Sequence, residues 1–197
     1  MPTPKGYTDK GNIQNYLLTL IDNSFNNQVD DWICSVEDYI DQQTGRNFIA
    51  ATVATVKLYD GDGSNEILID DCVSVTDLEI LTTEGEVVLD TLVQGEDYFL
   101  EPANDTPKQS IRLYGYKFTK GIQNIKVTAK WGYSTAVPAD IKFAATVLVS
   151  NIINFSNQSE GEINNMSIGS YSVSFKDQAK RDDFDRVQEI LNNYVRY

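Results

Sequence analysis

Helical periodicity dominates the chain between about residues 8 and 45. Apolar side chains recur there every three or four residues, which places them along one face of a helix. The first stripe consists of Ile13, Tyr16, Leu17, Leu20 and Ile21, and the second of Val29, Trp32, Ile33, Val36 and Ile40. We expect a break at Asn23, a cap on the second helix from Ser24 or from residues 26–27, and an end at Gly45, since Gly often follows a helix.

The period then changes from helical to alternating. Runs rich in β-branched and aromatic residues predict strands at about 53–59, 66–70, 75–81, 87–89, 98–100, 111–114 and 125–131. In the last run Ile125, Val127 and Ala129 alternate with polar residues, as in a strand with one buried face. Gly, Asp and Pro residues separate the runs, so the segment predicts a small antiparallel sheet or barrel-like lobe.

Helical spacing returns in the last third of the chain. A third helix begins near Pro138, and its apolar face is made of Ile141, Ala144, Ala145, Leu148, Ile152 and Phe155. Residues 157–165 are polar and predict an exposed loop. Residues 168–175 alternate and predict a strand, and residues 180–194 predict a final helix. Its apolar side is made of Phe184, Val187, Leu191 and Tyr194.

These elements predict an α+β fold for the 197-residue chain. About four helices form a bundle from residues 1–47 and 135–197, with a short strand or hairpin before the C-terminal helix. Residues 48–134 form an inserted, antiparallel, β-rich and acidic lobe. A chain of this length can bury one sizeable core or carry such a smaller inserted lobe.

Composition removes most catalytic and metal chemistry from consideration. The chain has no His and two Cys, so Ser-His and Cys-His pairs are absent and a four-ligand zinc site is nearly excluded. We expect no catalytic residue, metal or cofactor. No apolar run reaches the roughly 20 residues that cross a membrane, and the first residues lack a secretory signal. Synthesis in the cytoplasm, with no membrane partner, is the simplest expectation.

Negative charge is concentrated in one segment. The net charge is −13, and residues 58–107 hold fourteen acidic residues and no Lys or Arg. Binding of nucleic acid needs clustered Lys and Arg, so the chain is not expected to bind DNA through its overall charge. Asp60, Asp62 and Glu66 have oxygen ligands suited to Ca²⁺, but an Asp-Gly turn explains the same spacing.

Five phrases in the chain resemble, in order and spacing, segments of the bacteriophage head–tail connector (adaptor) family. They are residues 39–48 (YIDQQTGRNF), 58–63 (LYDGDG), 97–100 (DYFL), 131–142 (WGYSTAVPADIK) and 168–175 (IGSYSVSF). Ser170 stands where the family commonly has Asp. The acidic β-lobe and the Asn-rich loop before Ile168 also depart from the family pattern.

The resemblance implies a structural subunit without enzymatic activity. It implies a ring of identical subunits, usually twelve-fold, in the virion neck between the portal protein and the next neck or tail-completion protein. The helical bundle would be the ring-forming core, and DNA would pass through the channel without specific binding. Particles would assemble in the host cytoplasm.

The resemblance also implies residues that contact other subunits or the portal. These are Tyr171, Val173, Phe175, Phe184, Val187, Leu191 and Tyr194. Residues 170–175 are expected either to pair with a neighbouring subunit as an edge strand or to form an internal hairpin. The acidic residues Asp60, Asp62, Glu66, Asp70 and Asp71 are expected to face the channel, to dock a basic partner or to be a solvated face.

A second function remains open from the sequence. The acidic β-lobe suits a soluble binding module for a ligand such as a glycan or a calcium ion.

Overall fold

The computed structural model describes residues 3–82, 87–157, 165–168, 171–174 and 178–196. The chain divides into two compact units. A helical unit comprises Met1–Arg46 and Val137–Tyr197, and a β unit comprises Asn47–Ala136. The predicted α+β fold is confirmed, with four helices and a six-stranded antiparallel sheet among the described residues. No helix among the described residues is long and apolar enough to span a membrane.

The elements follow one another along the chain as four helices and eight strands within the described residues. The helices are α1 Lys10–Leu17, α2 Asn26–Thr44, α3 Ala139–Asn157 and α4 Gln178–Asn192. The strands are β1 Thr55–Gly61, β2 Glu66–Leu81, β3 Val88–Leu92, β4 Tyr98–Glu101, β5 Lys108–Leu113, β6 Gly121–Trp131, β7 Asn165–Ile168 and β8 Tyr171–Ser174.

The first helix is shorter than its apolar stripe predicts. Asp9 caps α1 by accepting a hydrogen bond from the Asn12 backbone N–H at 2.8 Å. The helix stops at Leu17 because Leu18 adopts a left-handed conformation with φ +53°. Leu20, expected on the buried face, is instead 89% exposed. The expected extension of the stripe through residues 20–21 is therefore wrong.

The start of α2 also differs from the sequence-based expectation. A 3-10 turn at Asn23–Phe25 precedes the helix, and Asp22 caps this turn through a 2.7 Å bond from the Ser24 backbone N–H. No side chain caps α2 itself at Phe25, so the predicted caps at Ser24 and residues 26–27 are wrong. The end at Gly45 is confirmed, with φ +66° and an N–H bond to the Asp41 carbonyl oxygen.

Helix α3 is the centre of the helical unit. Its predicted apolar face is buried at Ile141, Ala144, Ala145, Leu148 and Ile152, while the Phe155 side chain lies outside the described residues. Val147 and Val149 are buried as well, because α1, α2 and α4 all pack against α3. Burial of a side chain of this size contributes about 1.5–3 kcal/mol.

The β unit is one antiparallel sheet in the order β1-β6-β2-β5-β4, with β3 also paired to β2. Strand β2 replaces the two strands predicted at 66–70 and 75–81. Its register shifts between Leu68 and Cys72 and again before Asp77, so the strand bends without ending. Its first half pairs with β5 and its second half with β6 and β3.

One face of this sheet forms the core of the β unit. The buried residues include Ile69, Leu78, Ile111, Ile125, Val127 and Trp131. The alternation predicted for β6 is confirmed, since Ile125, Val127 and Ala129 are fully buried. The other face of the sheet carries charged pairs and exposed apolar side chains.

A two-stranded hairpin precedes α4. Strands β7 and β8 pair antiparallel from Asn165 opposite Ser174 to Ile168 opposite Tyr171. The sequence predicted one strand at 168–175 and a loop up to residue 165, and therefore missed β7. Among the described residues, β8 pairs within its own chain. Phe175 and residues 158–164 lie outside the described residues.

Candidate assembly surfaces

The N-terminal segment is held by a carboxylate buried in the helical unit. Glu37 on α2 is fully buried, and its two oxygens accept backbone N–H bonds from Lys5, Gly6 and Tyr7 at 2.6–2.8 Å. Lys5 Nζ forms ion pairs with Asp38 and Asp41 at 2.6 and 2.8 Å. Three consecutive amides on one carboxylate fix this segment along α2.

The C-terminal helix is seated in the chain's own bundle. Val187 and Leu191 are 0% and 2% exposed. Just after the end of α4, the Tyr194 carbonyl oxygen accepts a 2.6 Å bond from Arg46 Nε, and the Tyr194 hydroxyl donates to Asp140 at 3.3 Å. Contacts to another protein through Val187 or Leu191 would therefore require α4 to leave the bundle.

Helix α4 is also attached along one side. The Tyr16 hydroxyl donates to Asp183 at 3.0 Å, and the Arg186 guanidinium lies 5.0 Å from the centroid of the Phe143 ring. Burial, the Asp183 hydrogen bond and the Asp183 charge raise the pKa of Tyr16 to about 12. These contacts leave Asp185 and Glu189 exposed, so the free face of α4 in the described range is polar.

The structure separates the other predicted contact residues. Phe184 and Tyr194 are half-buried on and just after α4. Tyr171 and Val173 lie on β8, where the backbone alone is described, and Phe175 lies outside the described residues. Their role in contacts between subunits stays a prediction.

A groove with a mixed apolar and polar lining lies at the turn between α1 and α2, and we call it the corner groove. It encloses about 670 Å³ and is lined by Leu17, Thr19, Leu20, Ile21, Asp22, Phe25, Gln28, Val29, Trp32, Ile153, Asn154 and Ser156. Leu18 beside it is 91% exposed and Phe25 is 52% exposed. Exposed apolar clusters of this kind are characteristic of surfaces that contact other proteins. The sequence reasoning missed this groove because it assigned these residues to a buried helix face.

The acidic residues of 58–107 are mostly engaged within the β unit. Bases from flanking strands reach three of them. Asp70 pairs with Lys57 at 2.7 Å, Glu66 with Arg112 at 2.9 Å, and Glu79 with Lys126 at 2.5 Å. Ser110 also donates to Glu66 at 2.6 Å. Hydrogen bonds from Ser110 and Arg112 outweigh desolvation and lower the pKa of Glu66.

The remaining acidic site candidates stabilise turns and strand junctions. Asp60 accepts a 2.6 Å bond from the Gln123 backbone N–H, and Asp62 accepts a 2.7 Å bond from the Ser64 backbone N–H. Asp71 is buried and accepts from Gln109 at 3.1 Å. Sequence reasoning could not see that bases distant along the chain would neutralise part of this segment.

A calcium site receives no support from this geometry. Asp60 and Asp62 each bind a different backbone amide, and Glu66 faces Ser110 and Arg112. Among the described residues, no three His, Cys, Asp or Glu side chains are grouped as metal ligands. The LYDGDG phrase instead forms the end of β1, where Gly61 donates its N–H to the buried Asn124 side chain at 2.8 Å.

In the WGYS phrase, the backbone at Gly132 passes so close to Ala50 that only glycine fits. Gly132 has φ +134° and donates its N–H to the Asp71 carbonyl oxygen at 2.7 Å. A Cβ on Gly132 would lie 2.5 Å from Ala50 Cα. The phrase therefore has a structural role in joining the segment after Phe48 to the end of β6.

Cys72 is a core residue of the β unit. It is fully buried, and burial followed by the charge of Asp71 raises the pKa of its thiol to about 12. A thiol in this state is a poor nucleophile. Cys34 is also buried and free.

Neither protein-family models nor curated proteins contain a match to this sequence. Among solved structures, the chain is similar to a chain from the neck of an empty GTA particle, computed with C6 symmetry. The TM-score is 0.60 at 12% identity, covering 100% of this chain and 93% of that chain. It is also similar to a chain from the neck of a native GTA particle, computed with C12 symmetry. There the TM-score is 0.51 at 12% identity, covering 89% and 85%. This chain therefore shares its fold with chains found in the necks of GTA (gene transfer agent) particles.

Proposed function

We propose that this protein is a structural neck subunit of a phage-like particle, acting as a head–tail connector and not as an enzyme. The observation that carries the proposal is the similarity to a neck chain over the full length of this chain, with both units included. The five ordered phrases that resemble the adaptor family support it independently, since they were read from the sequence alone.

In this role the protein forms a ring under the portal, through which DNA passes. The necks that contain the similar chains were computed with C6 and C12 symmetry, which supports a ring of copies. A ring requires a heterologous contact, in which two different patches of each subunit meet. The helical unit is proposed as the core of this ring, and the corner groove supplies apolar surface for packing against a neighbouring copy.

The portal and the next neck or tail protein are proposed as the two axial partners. The exposed face of α4, with Asp185 and Glu189, is the part of that helix that the folded bundle offers to the portal. Because Val187 and Leu191 are buried, contacts through the apolar side of α4 would follow only from undocking of the helix. Net charge −13 suits a channel that DNA passes without adhering.

Deletion of the gene from a particle-producing host tests this function. We expect DNA-filled or emptied heads without attached tails in negative-stain micrographs, restored by the gene supplied from a plasmid. Intact particles with normal necks in the deletion strain would contradict the proposal.

The geometry does not favour the alternative of a soluble ligand-binding module. The acidic side chains that such a site would use bind backbone amides or bases of the same unit. We therefore propose no glycan or calcium site.

A further inference from the structure

Four neighbouring strands of the sheet, in the order β1-β6-β2-β3, form a strip. Strands β1 and β3 are its two open edges. Paired positions run across this strip from β1 through β6 and β2 to β3, at Leu58, Lys126, Glu79 and Thr91. Among the described residues, β1 pairs with β6 alone and β3 with β2 alone. Each strand therefore presents a row of backbone N–H and C=O groups that has no strand beside it in the described part of the chain.

The β3 edge lacks the Lys and Pro that often keep sheet edges apart, although its pairing with β2 has one register irregularity, opposite Ile80 and Leu81. Natural edge strands are blunted by Lys, by Pro, by bulges or by a covering element. Strand β3 has the sequence VLDTL, without Lys or Pro. Val88 and Leu89 on it are 45% and 64% exposed. An exposed apolar edge of this kind favours pairing with another strand.

The β1 edge is similar in chemistry. Val56 and Leu58 are 50% and 44% exposed. The one lysine of the strand, Lys57, does not extend into solvent, where its charge would oppose pairing with another strand. Its Nζ lies 2.7 Å from an Asp70 oxygen and 4.7 Å from the centroid of the Trp131 ring. The ion pair and the cation–π contact hold this charge against its own sheet.

The two edges are complementary in direction. Strand β1 is antiparallel to β6, β6 to β2, and β2 to β3. Within one copy, β1 and β3 therefore run in opposite directions. If β3 of one copy lies beside β1 of an equally oriented neighbour, the new pair is antiparallel and the strip continues from copy to copy.

We propose that copies of this protein join through β1 of one subunit and β3 of the next. Main-chain hydrogen bonds provide the contact, and Val56 and Leu58 meet Val88 and Leu89. The contact is heterologous, because β1 and β3 are different patches, and a heterologous contact forms a ring when the rotation between neighbours closes, as the proposed neck function requires. The inference rests on the proposed neck function and names the strands that meet in its ring.

Single-edge variants provide the test. Leu58→Lys places a charge on the β1 edge, and Leu89→Lys places one on the β3 edge. Leu68→Lys is the matched control, since Leu68 is 76% exposed and lies where β2 pairs with β5, away from both open edges. Urea unfolding of each variant checks that it is folded. Val56→Lys and Val88→Lys replace any variant that fails this check.

Self-association is measured by sedimentation equilibrium over a wide range of concentration. We expect wild type and Leu68→Lys to form the same oligomer, and each edge variant to self-associate at least about tenfold more weakly. In an equal mixture of the two variants, Leu58→Lys keeps an intact β3 edge and Leu89→Lys keeps an intact β1 edge, so these two edges can pair. The mixture should therefore form heterodimers and no larger species.

The alternatives give different masses. If β3 paired with β3, Leu58→Lys would dimerise alone, and if β1 paired with β1, Leu89→Lys would do so; either result overturns the proposal. A ring unaffected by both substitutions overturns the edge contact but leaves the neck function standing. A wild-type chain that stays monomeric overturns the edge contact, and the neck function is then judged separately by portal binding.

Discussion

The carboxylate of Glu37 accepts the backbone N–H of Tyr7 at 2.8 Å, with both residues fully buried in the helical unit. The same carboxylate binds the amides of Lys5 and Gly6, so one side chain of α2 satisfies three consecutive backbone donors. Tyr7 also donates its hydroxyl to Asp41 at 2.5 Å. The sequence offers no sign of this arrangement, because Glu37 lies beside Asp38 and resembles an ordinary polar position of a helix.

Replacing Glu37 by Ala should destabilise the helical unit strongly. The substitution leaves the buried Tyr7 amide and the part-buried Lys5 and Gly6 amides without their acceptor. A buried donor without a partner costs about 1–3 kcal/mol unless the segment moves into water. We expect the free energy of unfolding in urea to fall by about 2–4 kcal/mol. The control is Asp38→Ala, which removes a half-exposed ion pair with Lys5 and should cost less than about 1 kcal/mol. Equal losses in the two variants would contradict the anchoring role.

Gly132→Ala should prevent normal folding of the β unit. The new Cβ would approach Ala50 Cα to 2.5 Å, and φ is +134°. We expect a loss of at least about 3 kcal/mol or insoluble protein. Gly115→Ala is the control, since φ is +85° but no atom lies within 4 Å of its Cβ. It should cost only the backbone strain, about 1–2 kcal/mol, measured by thermal and urea unfolding.

Leu18→Gly should make the folded chain more stable. Leu18 has φ +53°, which costs a leucine about 1–2 kcal/mol, and its side chain is 91% exposed. Glycine removes the strain, so we expect the free energy of unfolding to rise by about 0.5–1 kcal/mol. Leu20→Gly, where the side chain is equally exposed and φ is not positive, should not gain stability. A loss of stability in Leu18→Gly would mean that the strain argument fails.

The ion pair between Glu66 and Arg112 predicts an acid-dependent stability of the β unit. The pKa of Glu66 is lowered in the folded state by hydrogen bonds from Ser110 and Arg112. Its stabilisation is therefore present above the ordinary value of 4.5 and is lost as the pH falls below it through the folded pKa. Glu66→Gln should flatten the dependence of the melting temperature on pH in this window. Glu96→Gln, an exposed residue before β4, should leave that dependence unchanged.

The sequence predicted the elements better than their junctions. Periodicity located α3 correctly, because nearly all of its apolar positions are buried by three neighbouring helices. It extended α1 too far, since Leu20 fits the same stripe although the chain turns at Leu18. It divided β2 at residues 71–74, after the acidic pair at 70–71, whereas bulges carry the strand through this stretch.

The candidate surfaces depend on which strands and charged side chains meet in the folded chain, and a single sequence does not show this. Fourteen acidic residues without a base suggested an open acidic face. The sheet order brings Lys57, Arg112 and Lys126 beside Asp70, Glu66 and Glu79, so that face is partly neutralised. The open edges at β1 and β3 likewise follow from strand order, which local pattern does not specify.

The mass of the purified protein, alone and mixed with the portal of the same particle, tests the connector function most directly. Native mass spectrometry or light scattering gives this value. A connector subunit should form a discrete ring, or a complex with the portal that saturates at a fixed ratio of subunits. A chain that remains monomeric and does not bind the portal at any ratio would contradict it.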